Sequence, residues 1–414
     1  MEENLDPRDH RVIGRELGLF TFSDTVGKGL PLWTFKGTNF RRELERFVVD
    51  TELNWGYEHV MTPDIAKLDL YKKSGHYPYY KETMYAPIDI DGEEFMLRPM
   101  TCPHHFELYL SQPRSYRELP MRIAELAKLY RYELSGVLTG LVRVRSFCLA
   151  DAHIVCADEV QMKSEISKAL DLIDYMASVF GLKMGENYSY RLSLGDRSNK
   201  KKYFDDDKSW DQAEEVLRSV LVERKAELVE AKDEAAFYGP KIDIQMKKAN
   251  GVEETAFTVQ YDFVMPGRFN LVYTDSEGKE RLAMVVHRSS IGAIERIAAF
   301  LLEHFNGALP LWLAPVQVAV LPVSDKQMAY ALEIKKQLAE KNVRVEIAKE
   351  GESLGKKIME AQKMKIPYML VVGNKEIENK TVTVRRRGND EQKVMSVEEL
   401  ILELTASISS KSLT

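Results

Sequence analysis

Residues 131–153 read RYELSGVLTGLVRVRSFCLADAH, two strand-like runs separated by a Ser-Gly turn. That order predicts a hairpin. Arg131, Arg143 and Arg145 fall on positions of equal parity, so outside the turn they project to one side of a strand pair. Guanidinium groups gathered on one face offer fork-shaped donors suited to bidentate phosphate binding. A solvated strand pair whose arginines join surface ion pairs has the same pattern. The hairpin alone leaves both readings open.

Working outward, further strand-like runs occur at Phe95 to Pro99, Val142 to His153, Lys241 to Lys247, Thr258 to Phe263 and Arg281 to Val286. Amphipathic helical patterns cover Phe40 to Leu53, Glu159 to Phe180 and Trp210 to Ala231. Strands following one another pair antiparallel, so this part of the chain reads as an α+β domain. The texture changes at Asn306, where the apolar link NGALPLWLAPVQ begins. Beyond it, runs at Val316 to Val323, Val343 to Ala348 and Tyr368 to Val372 alternate with amphipathic segments at Asp325 to Lys341 and Leu354 to Lys365. A strand at Thr381 to Arg386 and a helix at Ser396 to Ser407 complete a small α/β domain.

Composition bounds these readings. The chain has 414 residues, 44% of them hydrophobic, enough for a large core in two or three domains. A formal net charge of −6 argues against indiscriminate coating of nucleic acid, although a local basic face could still grip phosphates. The three cysteines, Cys102, Cys148 and Cys156, show no paired spacing, which favours a reducing compartment and a cytoplasmic location. The N-terminal MEENLDPRDHR lacks an apolar signal core, and no stretch approaches the ~18 apolar residues of a membrane span.

The hairpin from Arg131 to His153 resembles motif 2 of the class II aminoacyl-tRNA synthetases, in the form found in the threonyl-tRNA synthetase family. NWGYEHVMTPDI, with Pro63, resembles motif 1, and VVHRSSIGAIERIAAFL, which presents Arg296, resembles motif 3. With RPMTCPHH, SGHYPYY, AFYGPKIDI and TVQYDF, the similarity covers nearly the whole chain from Asp9 onward. The resemblance implies a class II catalytic domain over residues 1–308, an antiparallel sheet flanked by helices, and an α/β anticodon-binding domain over residues 309–414. It also implies a homodimer formed through motif 1. The implied activity is ligation of L-threonine to tRNA(Thr) through an ATP-derived threonyl-adenylate.

Carried over residue by residue, the resemblance implies that Arg131 binds the α-phosphate and the reacting carboxylate. Glu133 would meet the adenine amino edge, Phe147 would stack on adenine, and Arg143 and Arg296 would hold the ATP tail with its Mg2+. Cys102, His153 and His287 are far apart in sequence, and their spacing alone reads as a buried thiol and two satisfied histidines. In the family these positions form a zinc site, one ion per chain, so the resemblance implies that they do here. Asp151 would accept the proton of the substrate hydroxyl, with Tyr238, Gln260 and Met100 in the threonine pocket and Lys241 close by. His76 matches a histidine implicated in activating the terminal 2′-hydroxyl of tRNA. LGKKIMEAQKMKIPYMLVVGNKEIENKTVTVRRRG resembles the family's anticodon-binding domain, with Glu376 and Arg385 at anticodon-reading positions. A run of arginines such as Arg385 to Arg387 is also what a solvated strand edge looks like.

Two alternatives have features of their own. A catalytically decayed, synthetase-like tRNA-binding or regulatory protein would explain departures from the family pattern, but would not need Arg131, Glu133, Arg143, Arg296 and all three metal ligands. A prolyl, histidyl or glycyl enzyme would not combine Cys102, His153 and His287 with Asp151. The departures are Leu149, where the family has glutamine, and Thr255, where a second glutamine is usual. The chain also starts close to the catalytic core, without the editing domains of most bacterial members, so formation of seryl-tRNA is expected. Leu149→Gln is expected to raise threonine-dependent ATP–pyrophosphate exchange; an unchanged or lower rate would remove Leu149 as a handicap.

Overall fold

In the computed structural model, which describes residues 5–248, 251–389 and 391–413, the arginine-bearing hairpin consists of Met121–Tyr130 and Ser146–Cys156. The first four residues of the charged N-terminal stretch lie outside the described residues. The second strand begins at Ser146 rather than Val142, because the amides of Val142 and Arg143 both close onto the Thr139 carbonyl in a turn. Arg131 and Arg145 then face each other across the mouth of the loop, the Arg131 amide donating to the Arg145 carbonyl at 3.0 Å.

The chain divides into two compact units. One comprises Phe22–Pro31 and Glu45–Phe300, and holds an eight-stranded sheet. Its strands run in the order Val229–Ala231, Tyr188–Ser193, Lys241–Lys247, Glu253–Asp262, Met284–Ala293, Ser146–Cys156, Met121–Tyr130, Glu58–His59. Pairing is antiparallel throughout the middle and parallel at each edge. The helix Glu159–Val179 packs on the sheet through Met162, Ile166, Ala169, Leu170 and Ile173, and Arg122 of the sheet donates to its Glu165 at 2.6 and 2.9 Å. Asp158 caps that helix, accepting from the Gln161 amide.

Three further expected elements have different bounds. The helix expected from Trp210 to Ala231 spans Asp207–Glu223. Lys225 takes a left-handed conformation with φ 55, which stops the helix, and Val229–Ala231 becomes an edge strand beside Arg191–Ser193. The run Arg281 to Val286 is split: Glu280–Leu282 pairs with Val272–Thr274, while Met284–Ala293 enters the main sheet. Phe95 to Pro99 shifts by two residues to Glu93–Leu97, in a separate three-stranded sheet.

The other unit comprises Met1–Thr21, Leu32–Leu44 and Leu301–Thr414. Its five-stranded sheet runs Val345–Ile347, Val318–Pro322, Tyr368–Val372, Thr381–Arg386, Gln392–Ser396. Alternation sorts its apolar side chains to two faces. Val318, Val320, Leu370, Val372, Val382 and Val384 pack with Ile334, Leu338, Leu400 and Leu404 from two helices. Ala319, Leu321 and Met369 face the other way onto Ala361 and Ile366. The strand Gln392–Ser396 went unrecognised in sequence because only Met395 of its five side chains is buried. Among the described residues, no helix is long and apolar enough to cross a membrane.

The first unit also carries a fully buried ion pair. Arg288 donates to Glu52 at 2.6 Å, the Ser290 hydroxyl donates to the same oxygen at 2.6 Å, and the Arg288 guanidinium lies 4.0 Å from the Tyr57 ring centre. Removing one member of such a pair strands a buried charge and costs about 3–5 kcal/mol. Glu52→Ala should lower stability by that order in urea unfolding; a loss below about 1 kcal/mol would show that water replaces the missing carboxylate.

Candidate active site

One rung of the eight-stranded sheet assembles the centre of the site. Lys241 is paired with Gln260, Gln260 with His287, and His287 with His153. Residues directly opposed in antiparallel strands share a face. Four strands therefore deliver a lysine, a glutamine and two histidines side by side. Asp151, Leu149 and Phe147 follow on that face by alternation along the strand that carries His153. The cavity over this face has a volume of about 520 Å3, and His76, Cys102, Arg131, Asp151, Tyr238 and Arg296 are among the residues lining it.

Cys102 opens the helix Cys102–Leu110, and its sulfur lies within 4.8 Å of one nitrogen each of His153 and His287. All three side chains are buried. His287 Nε2 meets Asp262 Oδ2 at 2.6 Å, and His153 Nδ1 meets His105 Nδ1 at 2.8 Å. Each ring thus has one nitrogen engaged and the other free to ligate. Burial, followed by the nearby His287, holds the His153 pKa well below the usual histidine range. Burial, with Asp151 and Asp262 adding to it, raises the Cys102 thiol. A thiol and two imidazoles converging beside the cavity match the donor set of an open zinc site, where the cation itself drives thiol deprotonation. Asp9, His10 and Glu303 also converge, but Asp9 grips Arg11 at 2.7 and 2.9 Å and His10 bonds Glu303 at 2.8 Å.

The hairpin arginines divide by role. Arg131 lies over the Phe147 ring at 5.3 Å and is anchored by one bond to the Pro99 carbonyl, at 3.2 Å. Arg296 donates to the carbonyls of Val142, at 3.1 Å, and Thr255, at 2.6 Å. Burial, and further the positive charges of Arg131 and Arg143, lower its pKa. Three cations held within mutual influence form a ready anion site. Arg145 is instead spent on the loop, donating to the Glu133 carbonyl at 2.9 Å and packing on Tyr132 at 4.7 Å. Arg143 is exposed, while Glu133 lines the cavity.

Beside Cys102, His153 and His287, the Tyr238 hydroxyl donates to Gln260 Oε1 at 2.5 Å, and its ring stacks on His287 at 4.9 Å. Tyr238 is set by Gly239, where an added Cβ would sit 1.8 Å from the Tyr261 carbonyl oxygen. Lys241 is tied to both oxygens of Asp243 at 2.9 Å, and Asp243 also accepts from Arg191 and Ser193. Met100, Leu149 and Thr255 line the cavity, and the Thr255 hydroxyl is held by the Gln245 amide at 2.6 Å. Burial raises the Asp151 carboxyl. His76 is buried, its Nδ1 2.7 Å from the Ser74 hydroxyl and its Nε2 4.0 Å from the Cys102 sulfur. Burial, with His287, Arg268 and Arg131 acting in the same sense, brings its pKa down to about 3.

In the C-terminal sheet, both oxygens of Glu376 are engaged, one with the Gly373 amide and one with the Thr383 hydroxyl, each at 2.8 Å. Thr383 and Arg385 alternate onto one face of their strand, so Arg385 lies on the side of Glu376. Of its neighbours, Arg386 pairs with Glu403 at 2.6 Å and Arg387 donates to the carbonyls of Ala308, Leu309 and Lys365.

Sequence reasoning missed the residues behind His153 and His287. Asp262 stands two places after Gln260, and its parity with that residue was available as a signal. Nothing comparable pointed to Glu125, which accepts from His105, Thr62 and Arg98 across elements remote in sequence.

Comparison with known proteins yields two family matches. Residues 83–305 match the tRNA synthetase class II core domain (G, H, P, S and T), and residues 317–407 match an anticodon binding domain. The chain is 48% identical over 410 residues to a threonine–tRNA ligase of Geobacillus kaustophilus, covering 99% of this chain and 62% of that protein. It is 47% identical over 414 residues to one of Streptococcus sanguinis, covering 63% of it. The chain thus spans about three fifths of these curated relatives. A crystal structure titled as the RNA binding domain of threonyl-tRNA synthetase from Cryptosporidium parvum Iowa II superposes with a TM-score of 0.91, at 36% identity over 98% of this chain and 99% of that one.

Burial alone would raise the Glu125 carboxyl, but bonds from His105 and Thr62 and the charge of Arg98 outweigh it and hold the pKa down to about 2, against an ordinary 4.5. A depressed carboxylate stabilises the fold fully above its ordinary pKa and loses that contribution as pH falls towards the folded value. Thr62→Val, which removes one of these bonds, is expected to move acid unfolding to higher pH, read by circular dichroism; an unmoved midpoint would exclude Glu125 from the acid transition.

Proposed function

The chain belongs to the threonyl-tRNA synthetase family of class II tRNA synthetases, and on that premise we propose that it activates L-threonine with ATP and transfers it to tRNA(Thr). The observation that carries this reading is the rung that joins Lys241, Gln260, His287 and His153, with Cys102 above it and three arginines at its margin. Residues 1–308 act as the catalytic domain and residues 309–414 as the anticodon-binding domain.

In the first step the threonine carboxylate attacks the α-phosphate of ATP and pyrophosphate leaves. Arg131 holds the reacting phosphate and carboxylate, and Arg296 and Arg143 hold the tail of the nucleotide with its Mg2+. Fixed cations offset growing charge without having to reorganise. Adenine stacks on Phe147, with its amino edge towards Glu133. Cys102, His153 and His287 would hold zinc, which when bound would act as a Lewis acid towards the amino and hydroxyl groups of threonine. Asp151 accepts the hydroxyl proton; Tyr238, Gln260, Met100 and Lys241 complete the pocket. In the second step His76, kept neutral by burial, takes the proton of the terminal 2′-hydroxyl as that oxygen attacks the adenylate carbonyl and AMP leaves. Glu376 orders the face on which Arg385 meets the anticodon loop. The working form is a cytoplasmic homodimer paired through residues 54–65.

A pocket built around a hydroxyl rejects an isostere lacking it by about 10⁴–10⁵, whereas one missing methyl is worth only about 10–200-fold. ATP–pyrophosphate exchange with the purified chain should therefore be strong with threonine, measurably weaker with serine and absent with valine. Equal exchange with valine would discard the hydroxyl-based pocket, and no exchange with any of the three, at one zinc per chain, would discard the enzyme.

A further inference from the structure

The polar groups behind His153 form a directed chain. His153 Nδ1 lies 2.8 Å from His105 Nδ1, and the two rings stand edge to face at 4.8 Å. His105 Nε2 lies 3.2 Å from Glu125 Oε2. The other Glu125 oxygen accepts from Arg98 Nη1 at 3.0 Å and the Thr62 amide at 3.2 Å. The Thr62 hydroxyl donates to Oε2 at 2.7 Å.

A carboxylate only accepts, so the proton of His105 is drawn to Nε2 and its Nδ1 is left as an acceptor. His153 must then carry its own proton on Nδ1, which leaves Nε2 as the lone pair free to ligate. We propose that Glu125 and His105 are positioning residues that set the tautomer of His153 through two imidazoles, presenting Nε2 to the metal. This inference rests on the zinc reading of Cys102, His153 and His287. His287 obtains the same service in one step from Asp262, at 2.6 Å from its Nε2.

Glu125→Gln tests the chain because its amide has one permitted orientation. Arg98 and the Thr62 amide can only donate, so the amide oxygen must stay with them and the amino group must turn to His105. His105 then accepts at Nε2 and donates from Nδ1. That forces the His153 proton onto Nε2, the atom the metal needs. The rings remain where they are; only the protons move.

Zinc affinity of the wild-type and Glu125→Gln chains, measured by competition with a chromophoric chelator, is expected to fall about 10–100-fold in the variant. The long-range 1H–15N spectrum of the histidine-labelled, zinc-free wild type should show His153 protonated at Nδ1 and His105 at Nε2, both reversed in the variant. Undiminished zinc affinity in the variant, or His153 protonated at Nε2 in the wild type, would overturn the chain. A wild type that takes up no zinc would overturn the metal reading instead, and the same spectrum would still decide the tautomers. Should Glu125→Gln fail to fold, the wild-type spectrum alone decides.

Discussion

The register of the eight-stranded sheet is the constraint on which the site depends. Lys241, Gln260, His287 and His153 come from four strands that lie between residues 146 and 293 of the chain, yet each is the direct partner of the next. A slip of one residue in any of these pairings would turn a whole strand over and carry its site residue to the helix-covered side. Leu192, Ile242, Val259, Val286 and Ile154, all buried, are the neighbours that make such a slip costly. The hydrophobic face of the sheet thus holds the polar face in alignment.

Around that rung, charge is used in two ways. Arg288 is neutralised within the core by Glu52, and Arg145 is consumed by the backbone carbonyls of Glu133 and Lys28 and the Ser135 hydroxyl. These cations shape the protein. Arg131 and Arg296 donate to backbone carbonyls and line the cavity, so their charge stands beside it. The difference lies in partners, since all four are arginines in or next to strand-like sequence.

His153 and His287 repeat this logic on a smaller scale. Each has one nitrogen occupied by a buried partner, so the ring can neither rotate freely nor present either nitrogen at random. Leu149 and Thr255 bring no amide to the pocket, but Gln245 from the neighbouring strand holds the Thr255 hydroxyl. Thr255 is therefore embedded in an organised polar wall.

The sequence by itself determined the domain types, the hairpin and most of the long helices, because these follow from period, turn chemistry and motif resemblance, all local properties. It also named Cys102, His153 and His287, through motif context and not through spacing. It misjudged where the helix starting at Asp207 ends, since the left-handed turn at Lys225 has no glycine to announce it. Only the tertiary structure decided which partners each arginine has, which strand partner each site residue has, and that His105 and Glu125 stand behind His153 and Asp262 behind His287. Hydrogen bonds between side chains distant in sequence leave no periodic trace in the chain that makes them, so they can be read only where folding has brought their donors and acceptors together.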